Sequence, residues 1–195
     1  MLQKNLYIIA GCNGAGKSTV AFSLLPELLE CKEYVNADEI ARGLSPFQPE
    51  TVAIEAGRIM LNRIDNLLKE NVTFAIETTL SARSYSNLIL KAKNSGYNVI
   101  LLFLWLNSNK LAIKRVQERI KKGGHGIPID IIKRRYHAGI QNLIKIYIPL
   151  CDFWLIFDNS NIPGTVIAHG IKEKKTTVLQ KVIFENIINH DSKND

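Results

Sequence analysis

Residues Gly11-Cys12-Asn13-Gly14-Ala15-Gly16-Lys17-Ser18 carry the spacing G-x4-G-K-S. A glycine-rich bend of this kind turns successive backbone N–H groups inward, towards an anion. The start of a following helix adds about half a positive charge at the same place. Lysine can then reach the outer oxygens of a polyphosphate, and the serine hydroxyl can take one position around Mg²⁺. The chemistry implied is capture of a nucleoside triphosphate, ATP with its Mg²⁺. Gly11, Asn13, Gly14, Ala15, Gly16, Lys17, Ser18 and Thr19 form the expected phosphate-binding set.

Two acids follow short apolar runs, in Val35-Asn36-Ala37-Asp38 and Phe74-Ala75-Ile76-Glu77. At the carboxyl ends of parallel strands both would face the phosphate loop. Moving a phosphoryl group to an alcohol needs a base beside the acceptor hydroxyl and a second carboxylate for substrate or metal. Asp38 fits the first role and Glu77 the second, with Ser18 and Glu77 as the metal side. Asp38 could also serve as the cap of the next helix.

Residues 110–145 hold a local net charge of +8, against −1 for the rest of the chain. Such a concentration points to a local anionic partner. Arg115 and Arg119 are four residues apart, on one face of a helix. Beyond Gly123-Gly124 come Lys133, Arg134 and Arg135. Two basic helices joined by a glycine loop, over about 110–145, resemble the lid of a nucleoside-monophosphate-kinase-like protein. Closure of such a lid would bring Arg119 and Arg134 or Arg135 onto the transferring phosphoryl group and exclude water. His125, between glycines in that loop, is a further candidate for touching substrate.

Several nucleotide-hydrolysing classes are excluded. Asn109-Lys110-Leu111-Ala112 has alanine where a guanine site needs aspartate. No L-S-G-G-Q-type signature occurs, and the long apolar run closes on Leu106-Asn107 without the carboxylate of a motor ATPase.

Apolar runs alternate with amphipathic stretches, the pattern of a βαβ protein. Strands are expected at Leu6–Ala10, Tyr34–Asn36, Val72–Ile76, Asn98–Leu106 and Phe153–Phe157. Helices are expected at Gly16–Leu25, Asp38–Gly43, Pro49–Glu70, Tyr85–Asn94, Leu111–Lys122 and Ile129–Tyr147. The Pro49–Glu70 helix would open on its proline and bury a stripe of Val52, Ile59, Leu61, Ile64, Leu67 and Leu68. Thr165–Ala168 and Thr176–Leu179 could pair as a hairpin before a last weak helix. The fold class is therefore α/β: a three-layer P-loop NTPase with a mostly parallel five-stranded sheet and a helical lid. One domain would span 1–195, with 190–195 a disordered polar tail.

Gly11–Ser18, Asn36-Ala37-Asp38, Glu77-Thr78-Thr79-Leu80-Ser81, and Gly123-Gly124-His125-Gly126-Ile127-Pro128 through Arg134-Arg135-Tyr136 together resemble the zeta toxin family of P-loop kinases. The resemblance runs from about residue 6 to 160. It implies Lys17 and Ser18 on ATP–Mg²⁺, Asp38 as base on a sugar hydroxyl, Glu77 and Thr79 on substrate, and lid arginines on phosphates. It also implies UDP-N-acetylglucosamine as acceptor and a small helical antitoxin as partner. Zeta toxins place arginine two residues after the threonine, where this chain has Ser81. Arg83 is the nearest substitute and joins the expected substrate set.

A nucleic-acid end kinase and a non-catalytic ATP-binding module stay open as alternatives. The first is disfavoured because only Tyr136 and Tyr147 offer stacking rings near the basic segment. No apolar run approaches the roughly 18 residues of a membrane span. The first residues lack the long apolar run of a secretory leader, and Cys12, Cys31 and Cys151 follow no metal-ligand spacing. A reducing cytoplasm is the expected location.

Overall fold

A computed structural model describes residues 3–124, 126–172, 174 and 176–190. The elements run β1 (Asn5–Gly11), α1 (Lys17–Leu24), β2 (Glu33–Val35), α2 (Ala37–Leu44), a 3₁₀ turn (Pro49–Val52), α3 (Ala53–Glu70), β3 (Phe74–Thr78), α4 (Tyr85–Asn94), β4 (Asn98–Trp105), α5 (Asn109–Lys121) and α6 (Ile129–Asn142). A π turn (Leu143–Tyr147) continues α6 into the short α7 (Ile148–Leu150). Then come β5 (Phe153–Asp158), β6 (Thr165–Ile171), β7 (Thr177–Val178) and α8 (Lys181–Ile188). No described helix is long and apolar enough to cross a membrane.

The strands form one sheet in the order β2-β3-β1-β4-β5-β6-β7. β1 to β5 are parallel, and β6 and β7 add on antiparallel. The sheet thus has seven strands rather than the five expected. The 165–179 hairpin does form, but β6 pairs with β5 along Phe153–Asp158 and extends the sheet.

Alternation along β1 sends side chains to two covered faces. Tyr7 and Ile9 pack with Ala21 and Leu25, at α1 and its end. Leu6, Ile8 and Ala10 pack into the larger cluster with Met60, Ile64, Ile89, Val116 and Ile140 from α3, α4, α5 and α6. Burial of both strand faces is what makes these runs apolar throughout rather than alternating.

Three local expectations change. Pro49 opens a separate 3₁₀ turn, and the α-helix begins at Ala53. Its buried stripe is Ala56, Met60, Ile64, Leu67 and Leu68, with Ile59 and Leu61 on the exposed side. Spacing by four from Ala56 to Ile64 sets that face. The helix expected over Ile129–Tyr147 passes into a π turn after Asn142. At the other end, His190 is part of the fold rather than of a tail. Its ring stacks on His137 with centroids 5.0 Å apart. Residues 191–195 lie outside the described set.

The end of α6 and the π turn after it hold the loop that leaves β3. Asn142 Nδ2 donates to the carbonyls of Leu80 and Ser81 at 2.8 and 3.1 Å, and the Tyr147 hydroxyl donates to that of Ala82. Gly139 lets α6 approach so closely that a Cβ there would lie 2.6 Å from the Thr79 carbonyl oxygen. Gly139→Ala gains about 1 kcal/mol of helix propensity but forces two backbones apart. We expect a net loss of about 1–3 kcal/mol, read as a lower thermal midpoint; an unchanged or raised midpoint would show that the contact yields freely.

Candidate active site

The phosphate loop joins the end of β1 to α1. Gly11 has φ +142° and its missing side chain leaves room for the Leu104 carbonyl oxygen, which would be 2.3 Å from a Cβ. Gly16 precedes α1 at φ +87°, in the left-handed region that glycine adopts without penalty. Among the described residues no side chain caps the N-terminus of α1, so its first N–H groups remain for an anion. Asn13, Gly14, Gly16, Lys17, Ser18 and Thr19 line a cleft of about 610 Å³. Gly11 and Ala15 are buried behind the loop and shape it without lining the cleft.

Parallel register places the acid. β3 lies beside β1 with Glu77 paired to Ile9 and Thr78 to Ala10, so Glu77 emerges next to the loop. Lys17 is only 7% exposed. Its Nζ donates to the Cys12 carbonyl at 3.1 Å and lies 3.6 Å from Glu77 Oε1. Ser18 Oγ donates to Glu77 Oε2 at 2.8 Å, and the Tyr34 hydroxyl donates to the same oxygen. Burial, then the Glu77 charge, pushes the Tyr34 phenol well above its ordinary range, so it stays protonated. Burial also pushes the Cys12 thiol up to about 11 against the pull of Lys17, which keeps it neutral at pH 7.

Asp38 sits in the first turn of α2, but it is not the cap. Asn36 is: its Oδ1 accepts from the Asp38 backbone N–H at 2.8 Å. The Asp38 carboxylate is therefore left for other work. It stands where the large cleft meets a second cavity of about 220 Å³, sharing that boundary with Lys17, Ala37, Glu77 and Arg135. Thr79 lines the smaller cavity, with its Oγ1 2.8 Å from Ser81 Oγ.

The arginines separate. Arg119 and Arg134 both line the large cleft, as does Arg115, whose guanidinium donates to the Ser160 carbonyl at 3.0 Å. Arg119 lies under the glycine loop: a Cβ on Gly124 would be 2.6 Å from its Cγ. Arg135 is half-buried and lines both cavities, and its Nη1 donates to Asn13 Oδ1 at 3.4 Å. Arg134 is exposed and reaches only the large cleft.

Arg83 does not join the site. It is exposed and lines neither cavity, although Ser81, Ala82 and Tyr85 on either side of it line the smaller one. His125 lies outside the described residues.

Sequence reasoning missed two polar contacts. Tyr34, on β2, reaches Glu77 as described. Asn159, in the loop after β5, donates its Nδ2 to the Ala15 carbonyl at 2.7 Å and so braces the phosphate loop from behind. Neither has a local motif; only the position of Asn159 just past a strand end hinted at proximity.

Among the described residues there is no group of three or more His, Cys, Asp and Glu that could hold a metal by itself. Magnesium on a nucleotide does not need one. It keeps several waters and takes one or two protein oxygens beside the phosphates. Ser18 Oγ and the Glu77 carboxylate offer that donor set, hard oxygens at the foot of the cleft.

A family model described as Zeta toxin matches residues 2–148. An uncharacterised protein of Haemophilus influenzae is 32% identical over 136 residues, covering 70% of this chain and 95% of that protein. A chain of the AvrRxo1-ORF1 and -ORF2 complex solved with ATP superimposes with a TM-score of 0.75 at 18% identity. That match covers 95% of this chain, which spans 64% of the AvrRxo1 chain's length. A structure from the PezAT chromosomal toxin–antitoxin system of Streptococcus pneumoniae matches with a TM-score of 0.66 at 17% identity, covering 95% of this chain and 78% of that one. At these identities the structural matches show a shared fold.

Proposed function

Because the chain belongs to the zeta toxin family, we propose that it transfers the γ-phosphoryl group of ATP to a hydroxyl of a small molecule. The observation that carries this reading is the position of Asp38. Its carboxylate stands at the junction of the cleft beside the phosphate loop and the smaller, hydroxyl-lined cavity. ATP occupies the large cleft with its phosphates on the loop amides and Lys17. Ser18 and the Glu77 carboxylate would hold Mg²⁺, which would supply neutralisation of the charge on the phosphates.

Asp38 accepts the proton of the acceptor hydroxyl as its oxygen bonds to the γ-phosphorus. The bond to the bridging oxygen breaks, and ADP leaves. Arg119, with Arg134 or Arg135, faces the oxygens of the phosphoryl group in transit. Glu77 and Thr79 orient the acceptor. A nucleotide sugar such as UDP-N-acetylglucosamine is the acceptor we favour. A protein antitoxin is the partner we favour, supported by the toxin–antitoxin setting of the PezAT neighbour. Three buried free thiols suit the reducing cytoplasm in which such a kinase would work.

The test is incubation with γ-labelled ATP and fractionated cellular metabolites, read by mass spectrometry. We expect a product heavier than its acceptor by one phosphoryl group, with UDP-N-acetylglucosamine included as a defined acceptor. Label on nucleic-acid 5′ ends instead would make the basic α5–α6 face the acceptor surface. Nucleotide binding with no labelled product in any fraction would leave a binding module. No affinity for nucleotide with magnesium present would end the proposal.

A further inference from the structure

A continuous chain of hydrogen bonds links the two halves of this site, and neither end of it explains its middle. Ser18 Oγ donates to Glu77 Oε2 at 2.8 Å. The Tyr34 hydroxyl donates to that same oxygen. Asn36 Nδ2 donates to the Tyr34 oxygen at 3.1 Å. Asn36 Oδ1 in turn accepts the backbone N–H of Asp38 at 2.8 Å.

The directions of these bonds are fixed by what each group can do. An amide N–H is only a donor, so Asn36 occupies a lone pair of the phenol and leaves its proton for Glu77. A phenol carries its proton at neutral pH, and a carboxylate oxygen can only accept it. Glu77 Oε2 therefore receives two hydroxyl protons, while Oε1 faces the Lys17 ammonium at 3.6 Å. With its single proton committed to Glu77, Ser18 must turn its lone pairs away from the carboxylate. A lone pair is what a metal needs from a hydroxyl.

We infer that Tyr34 is a positioning residue: it locks the Glu77 carboxylate onto the Ser18 hydroxyl and so sets the share of nucleotide affinity that Mg²⁺ contributes. This rests on the nucleotide-binding reading above and extends it to a residue with no phosphate contact of its own. Without the phenol hydroxyl, Glu77 keeps its attraction to Lys17 but loses the bond that holds Oε2 towards Ser18. The Ser18 hydroxyl can then rotate, and its lone pairs no longer point one way. Binding of the phosphates to the loop amides and Lys17 does not pass through Tyr34 and is unaffected.

Tyr34→Phe isolates the effect, because the ring keeps its edge-on contact with Phe22 at 5.7 Å and only the hydroxyl goes. The measurement is affinity for a fluorescent ATP analogue, titrated once with excess Mg²⁺ and once with EDTA. In the variant we expect affinity in EDTA within about twofold of the parent, and affinity with Mg²⁺ lower by about tenfold, the size of one hydrogen bond to a charged group. Asn36→Ser keeps a capping side chain and removes the amide donor; it should shift only the Mg²⁺ arm, by less than Tyr34→Phe does. An Mg²⁺ enhancement in Tyr34→Phe equal to that of the parent overturns the inference, as does an equal loss in both arms, which would mean general loosening. A parent protein that binds the analogue but gains nothing from Mg²⁺ overturns it too, while leaving nucleotide binding intact. A parent that binds no analogue at all overturns the proposed function itself.

Discussion

Asp38→Asn is expected to lower the turnover rate by about 10²–10⁴-fold, the usual contribution of a general base, with affinity for MgATP unchanged. The carboxamide has nearly the same shape as the carboxylate, but it cannot take a proton from the acceptor. Fold and capping should survive, since the cap of α2 is Asn36, which meets residue 38 through its backbone N–H and not its side chain. The lost charge at the start of the helix costs about 0.3–1 kcal/mol, far below the catalytic effect.

Glu77 is the weaker candidate for the base, because Ser18 and Tyr34 both donate to its Oε2 and Lys17 faces its Oε1. Turnover at saturating ATP, compared with a nucleotide titration of the same variant, separates chemistry from binding. If Asp38→Asn turned over the true acceptor within tenfold of the parent, the base would lie elsewhere and the junction of the cavities would lose its meaning.

What could be read in advance divides by the range of the interaction involved. The phosphate loop was legible because all of its determinants sit within eight neighbouring residues, Gly11 to Ser18. Glu77 was legible at one remove: a strand-end acid in a parallel sheet has few places to go, and the pairing of β3 with β1 puts it beside Lys17. Asp38 was legible as an acid at the right strand end, but its alternative as a cap could be settled only by the Asn36 rotamer.

Contacts between distant parts of the chain were not legible. Tyr34 meets Glu77 across 43 residues and Asn159 meets Ala15 across 144. The spacing of residue types within one segment says nothing about either. Arg83 was misplaced as well. It is the nearest arginine in the chain to the family's position, yet its side chain is exposed and lines neither cavity, while Ser81, Ala82 and Tyr85 around it line the smaller one. The extra strands β6 and β7 were seen as a hairpin, but which sheet edge they would join depends on β5 and could not be read from their own pattern.

Arg135→Ala is expected to lower turnover by about 10²–10³-fold, as the loss of a charge that stabilises the transferring phosphoryl group does, whereas Arg134→Ala should stay within about tenfold. Adjacent residues on a helix point roughly 100° apart, so one helix presents only one of them to a given place. Arg135 lies one turn before Gly139, the residue at which α6 seats against the Thr79 carbonyl. Asn142, nearly another turn on, holds the carbonyls of Leu80 and Ser81. The helix face carrying Arg135 is therefore fixed against the loop that leaves β3, and its guanidinium also reaches Asn13 of the phosphate loop. That places one cation at the boundary of the two cavities. Arg134 looks out along the cleft, where solvent screens its charge. Arg135→Lys should recover little, because an ammonium lacks the planar fork that can grip two oxygens at once. Turnover at saturating ATP for the three variants decides the matter, and a larger loss in Arg134→Ala than in Arg135→Ala would move the phosphoryl contact to the exposed arginine.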